Sequence, residues 1–184
     1  MTDVRHRGYA YLTIARPDHW IKHIFILPGI LIAERLDPAA SLNITPILVG
    51  TLSACFLASA NYVINEFLDA ESDRFHPIKK HRIAVVQPLS ARYVYLEYAG
   101  LIGVGLALAS FVNVYFLGTA AVFVFMAVLY NVKPVRLKDH FLVDVLSESL
   151  NNPLRLLFGW FMVTSVTVPP SSVLLAYWFG GAFL

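Results

Sequence analysis

From Ile44 to Ile64 the chain runs through 21 residues without one charged side chain. A helix of that length reaches roughly 31 Å at 1.5 Å per residue, the thickness of a bilayer's hydrocarbon. Comparable apolar stretches recur: Ile24 to Ala33, Val94 to Phe111, Val114 to Tyr130, Phe141 to Val166, and Val173 onward to Leu184. Backbone polar groups in lipid must be satisfied within their own segment, so the runs predict an all-α membrane protein. They fit a multi-span transmembrane helix bundle of about six spans, the first starting near Trp20 and the last cut short at Leu184. Charged residues make up only 14% of the 184, against about 25% in a soluble domain, which excludes a water-soluble globular class. Arg16 and Lys22 flank the first run, but it ends at Glu34-Arg35 without a small-residue cleavage site. It therefore reads as a retained span and not a signal peptide. The lone Cys55 lies inside the second span, so there is no disulfide framework.

The cations choose a side. Of the 14 Lys and Arg, 12 precede the first span or lie between spans two and three or four and five. The positive-inside rule makes that side cytoplasmic and predicts a multi-pass protein of the cytoplasmic membrane, with its N-terminus inside.

Three polar constellations interrupt the apolar pattern. In "NEFLDAESDRFHPIKKHR", residues 65–82, Asn65, Asp69 and Asp73 continue a four-residue spacing that begins at Asn61, and the four form one stripe on a helix. Glu66 and Glu71 lie beside it. Clustered carboxylates disfavour one another's charge unless a cation offsets them. Oxygen donors without Cys or paired His suit a hard cation, Mg²⁺ before Zn²⁺, and Mg²⁺ leaves room for phosphate oxygens. A calcium loop starting at Asp69 fails, since Arg74 stands where Gly is needed and Lys80 where Glu is needed. A solvated surface loop accounts for Lys79, Lys80 and Arg82, but not for Asn61 and Asn65 inside the apolar span.

The second constellation, "YNVKPVRLKDH", places Lys133, Arg136 and Lys138 around the helix-breaking Pro134. These cations can grip a phosphate, or simply decorate the cytosolic side. The third, "DVLSESLNNPLR", puts Asp144, Glu148, Asn151, Asn152 and Arg155 on one broad face of the fifth span. Such a stripe faces a bundle interior or a watery cavity, either as a salt-bridged packing face or as substrate contacts. Pro153 is positioned to kink that helix.

These motifs carry a resemblance. "NEFLDAESD" resembles the N-D-x-x-D-x-x-x-D signature of the UbiA superfamily of intramembrane prenyltransferases, matching at Asn65, Asp69 and Asp73, with Glu66 in place of the usual Asp. "ARPDHWIKHIFILP" looks like that family's first-helix entry, and "YNVKPVRLKD" is similar to its Tyr-x-x-x-Pro-x-Arg-Leu-Lys segment. The run Asp73, His76, Pro77, Lys79, Arg82 looks closest to decaprenyl-phosphate phosphoribosyltransferases.

The resemblance implies a nine-helix bundle of which about six spans are present, so residues 1–184 read as a single UbiA-like transmembrane domain, incomplete at its C-terminus. It implies a Mg²⁺-dependent transferase acting on a polyprenyl phosphate or diphosphate lipid and a second small-molecule substrate, in contact with membrane lipid and with no nucleic-acid partner. Asn65, Asp69 and Asp73 are then the metal-holding and catalytic residues. Lys22, Lys79, Arg82, Tyr130, Arg136, Lys138, Asp144, Glu148, Asn152 and Arg155 are the candidate substrate contacts. The family's second Asp-rich motif is expected beyond Leu184. Two rivals remain: a membrane transporter with an ion relay, and an inactive truncated remnant.

Overall fold

A computed structural model of the chain describes residues 2–182, with side chains from residue 8 onward. Among these residues all regular structure is helical. Helix α1 (Thr2–Ile14) leads into a 3₁₀ segment (Pro17–Ile26), followed by α2 (Leu27–Leu36), α3 (Ile44–Asp73), the short α4 (Ile83–Val86), α5 (Ala91–Ser110), α6 (Val114–Asn131), α7 (Phe141–Ser149), α8 (Asn151–Val163) and α9 (Ser171–Ala182). Three of these, α3, α5 and α6, are individually long and apolar enough to cross a membrane. Their outward side chains include Leu48, Leu52, Leu96, Val104, Val122 and Phe125, each about half exposed, a surface that suits hydrocarbon better than water.

Local chemistry sets the boundaries. The Asn43 side chain accepts the Thr45 N–H at 3.0 Å and opens α3, and Asn113 accepts the Phe116 N–H at 2.9 Å to open α6. Asn113 also donates to the Phe161 carbonyl at 2.6 Å, tying the start of α6 to α8.

The first and fifth expected spans are not single α-helices. Pro28 has no N–H to return to the Ile24 carbonyl, and Leu27 N–H bonds that carbonyl instead, so the chain enters α2 from a 3₁₀ segment. Pro153 likewise cannot bond back to Ser149. The helix breaks at Leu150 and resumes as α8, with Leu154 N–H reaching the Leu150 carbonyl at 3.3 Å.

Helix α8 is the centre of the bundle. Leu154, Leu156, Phe158, Trp160, Phe161 and Met162 are all buried, and Phe158 meets Phe116 and Phe123 of α6 at ring-centroid distances of 5.0 and 5.8 Å. Where α2 crosses α8 the backbones touch. A Cβ on Gly29 would collide with the Leu156 carbonyl oxygen, and one on Gly159 would collide with that of Ile26. This is small-residue packing of the kind that lets membrane helices approach closely. At one end of the crossing the Asp37 carboxylate accepts hydrogen bonds from Thr164 Oγ1 (2.6 Å), Thr167 Oγ1 (2.7 Å) and Ala39 N–H (2.9 Å). Those hydrogen bonds, the Thr164 one foremost, hold its carboxyl below the ordinary Asp value.

The crossing predicts a sharp contrast between glycines. Gly159→Leu should lower stability by about 1–3 kcal/mol or prevent assembly, because backbone and not a flexible tip blocks the new side chain. Gly118→Ala, with nothing within 4 Å of its Cβ position, should leave stability unchanged or slightly raised. Thermal unfolding of the detergent-solubilised variants measures both.

Candidate active site

Helix α3 continues unbroken past its apolar section to Asp73, so the four-residue stripe survives as one helical edge. Asn61, Asn65, Asp69 and Asp73 all line a cavity of about 790 Å³. Its opposite walls come from the 3₁₀ segment, the loops after α3 and α6, and helices α6 to α8. Asp69 and Asp73 are largely buried, with side chains 13% and 6% exposed, too enclosed for water alone to solvate their charge.

Cations meet them. Arg136 Nη2 and Lys138 Nζ approach Asp69 Oδ1 at 2.8 and 2.7 Å, and Arg82 Nη1 approaches Asp73 Oδ2 at 2.6 Å. One oxygen of each carboxylate, Asp69 Oδ2 and Asp73 Oδ1, has no hydrogen-bond partner among the described residues. Burial pulls the Lys138 ammonium below its ordinary pKa, while the hydrogen bond to Asp69 opposes that shift. Arg136 is also held by Asp139 Oδ1 at 3.0 Å, and its backbone is left-handed, with φ 34°. The only other described non-glycine residue with positive φ is Arg16, at 49°, and its guanidinium pairs with Glu66. Left-handed backbone is disfavoured for any residue bearing a Cβ and concentrates at functional sites.

Of the remaining expected contacts, Lys22, Lys79, Tyr130, Asp144, Glu148 and Arg155 line the same cavity. Tyr130 donates to Asp144 Oδ1 at 2.8 Å, and the Lys138 ammonium lies 5.7 Å from the Tyr130 ring centroid. Asn152 does not line it. It turns toward α9, where a Cβ on Gly181 would collide with Asn152 Nδ2, and its Oδ1 accepts from Arg155 Nη1 at 3.4 Å. Its neighbour Asn151 lines the cavity instead, since at 100° per residue it falls about 20° from the Asp144 direction and Asn152 about 80° from it.

Two features lay outside the expected set. Asn131 is fully buried at the end of α6, donating to Asn61 Oδ1 (2.8 Å) and accepting from Lys138 Nζ (3.0 Å). It thus links the stripe to the basic loop. Glu66 takes both Nε and Nη2 of Arg16. The sequence signal for Asn131 was its place in the last turn of an apolar span, where polar groups are costly.

The donors fit a hard metal ion. Two carboxylates with free oxygens and an amide lie one turn apart on a rigid helix, an all-oxygen set with coordination positions left over. Among the described residues no group of three His, Cys, Asp or Glu converges.

The sequence model of the UbiA prenyltransferase family matches residues 23–184. The chain belongs to that family. It is 31% identical over 180 residues to a decaprenyl-phosphate phosphoribosyltransferase of Mycolicibacterium smegmatis, covering 92% of this chain and 52% of that one. It is 28% identical over 167 residues to the nodulation protein NoeC of Azorhizobium caulinodans, covering 91% and 52% respectively. The chain therefore spans about half the length of these two relatives. Among solved structures, a UbiA homolog from Archaeoglobus fulgidus bound to GPP and Mg²⁺ superposes with a TM-score of 0.76 at 25% identity, covering 94% of this chain and 60% of that one. The apolar helices and the family together make this a membrane protein.

The Asn131 linkage gives a test of how the site is held. Asn131→Leu strands the Asn61 amide oxygen and takes from Lys138 one of its two contacts, and should destabilise the protein by about 1–3 kcal/mol. Thermal unfolding in detergent checks it, with exposed Asn43→Ser as the control.

Proposed function

We propose that this cavity binds Mg²⁺ and a polyprenyl phosphate or diphosphate, and that it forms part of a membrane-embedded transferase. One observation carries the reading: Asp69 and Asp73 line the cavity and each keep, among the described residues, an oxygen without a hydrogen-bond partner, while Arg82, Arg136 and Lys138 stand beside them. Neither sign of charge alone would serve. A bare carboxylate pair repels phosphate, and a bare cation cluster has no need of buried acids. Together they would hold a metal ion and a phosphate beside it.

Asn65, Asp69 and Asp73 would hold the ion, which when bound would neutralise phosphate oxygens and stabilise a departing diphosphate. Arg136, Lys138 and Arg82 would then exchange their carboxylate partners for phosphate oxygens, Arg in bidentate fashion. Lys22 and Lys79 supply further positive charge at the same cavity. Ala58, Phe123, Met126 and Ala127 line an apolar wall along which a prenyl tail can lie out of water. The relationship to the M. smegmatis enzyme favours phosphoribosyl transfer to a polyprenyl phosphate over prenyl transfer to another acceptor. Arg155, Glu148 and Tyr130 are the side chains that would meet the second substrate.

In the full-length protein, Asp69→Asn should lower Mg²⁺-dependent transfer by at least about a hundredfold while leaving membrane insertion intact. Transfer by this variant at the wild-type rate overturns the reading. The exchange of partners makes a second prediction, of opposite signs. Arg136→Gln removes one of the two cations that hold Asp69, so Mg²⁺ alone should bind tighter, whereas inorganic diphosphate with Mg²⁺ should bind roughly tenfold weaker. Isothermal titration of the two ligands separately and together reads both effects, and weakening of both would exclude the exchange.

A further inference from the structure

Glu66 stands where the family signature carries Asp, between Asn65 and Asp69 on the same helix end, and lines the same cavity. Its chemistry differs from theirs. It is 3% exposed, and both of its oxygens are engaged. Oε2 accepts from Arg16 Nε at 3.0 Å and from Arg16 Nη2, and Oε1 accepts from the Ala84 backbone N–H at 3.3 Å. Asp69 and Asp73, by contrast, each leave one oxygen free among the described residues. A metal ligand needs lone pairs aimed at open space; three hydrogen bonds take up most of those of Glu66, whereas Asp69 and Asp73 each keep a whole oxygen among the described residues.

What Glu66 grips is informative. Arg16, between α1 and the 3₁₀ segment, is left-handed, and its carbonyl accepts the His19 N–H at 3.0 Å, starting the 3₁₀ segment that carries Lys22. Its guanidinium also lies 5.8 Å from the centroid of the Tyr62 ring, on α3. Ala84 lies in α4, two residues after Arg82, the partner of Asp73. One carboxylate thus fastens two separate chain segments to α3, and each segment delivers cavity cations: Arg16 and Lys22 from one, Arg82 from the other. Glu reaches one carbon farther than Asp, about 1.5 Å, which is what lets it span from α3 to both.

We propose that Glu66 is a positioning residue for the phosphate-binding cations and not a metal ligand. The inference rests on the reading of the Asn65, Asp69 and Asp73 edge as the metal site. Outer contacts of this kind orient the groups that touch the ligand and support their affinity.

The test uses the full-length protein in detergent, with Mn²⁺ in place of Mg²⁺ and inorganic diphosphate as the anion. Mn²⁺ binding is followed by electron paramagnetic resonance and diphosphate binding by calorimetry. Glu66→Gln should leave Mn²⁺ affinity within about twofold of wild type and weaken diphosphate by about tenfold. Asp69→Asn, in the same assay, should lose Mn²⁺. In an Arg16→Gln background the effect of Glu66→Gln on diphosphate should shrink, since part of it acts through Arg16; full additivity overturns the proposal. Loss of Mn²⁺ in Glu66→Gln, to the extent seen in Asp69→Asn, makes Glu66 a ligand and overturns the proposal while the metal reading stands. Unchanged diphosphate affinity overturns it as well. Mn²⁺ retained by Asp69→Asn removes the metal reading and the inference with it. Should Glu66→Gln not yield monodisperse protein, Glu66→Asp carries the same test, with the same pattern expected at smaller amplitude because the shorter side chain keeps one of its two grips.

Discussion

A carboxylate taken out of water must be neutralised, and this constraint organises the polar end of the bundle. Glu66, Asp69 and Asp73 lie within two turns of α3, their side chains all at most 13% exposed. Leaving water carries a penalty of several kcal/mol per ion, recovered only by close, well-directed partners. Each acid draws its partner from a different piece of chain: Arg16 from the end of α1, Arg136 and Lys138 from the loop after α6, and Arg82 from the loop before α4. The loops are therefore shaped by the acids of α3. Arg16 and Arg136 adopt left-handed backbone, each at a cost of order 1–3 kcal/mol, which the ion pairs offset.

What could be read from the chain follows from how local each feature is. The apolar runs and the four-residue stripe are single-helix properties, so the all-helical bundle and the Asn65–Asp69–Asp73 edge were legible in the amino-acid pattern alone. The cations were legible as a class, because charge beside a membrane span is rare. Their pairings were not. Glu66 and Arg16 are 50 residues apart, and nothing in local spacing joins them. Nor does any periodicity say that Asn131 reaches Asn61 across the bundle.

Asn152 shows a different kind of failure. Counting 100° per residue from Asp144 puts Glu148, Asn151 and Arg155 within about 40° of it and Asn152 about 80° away, at the margin of the stripe. The break at Leu150 ahead of Pro153 leaves that order intact: Asn151 lines the cavity and Asn152 turns to α9. Where so broad a face ends depends on what α8 packs against, which is tertiary information.

That packing also reaches the site. Gly29 and Gly159 let α2 and α8 touch at backbone distance, and the 3₁₀ segment runs directly into α2. On its way the segment is pinned to α3, where Trp20 Nε1 donates to Ser59 Oγ at 2.9 Å. Lys22 is therefore placed by a chain of constraints: a glycine crossing at one end, the Arg16–Glu66 pair at the other, and an indole hydrogen bond between. Close helix approach in a membrane is driven by packing, because lipid tails offer no hydrophobic contrast between helices. The apolar half of the bundle and its charged end are thus mechanically joined. The proposed ligand, an amphiphile with an apolar tail and an anionic end, would need that joint, since the two halves of the cavity are built from different forces.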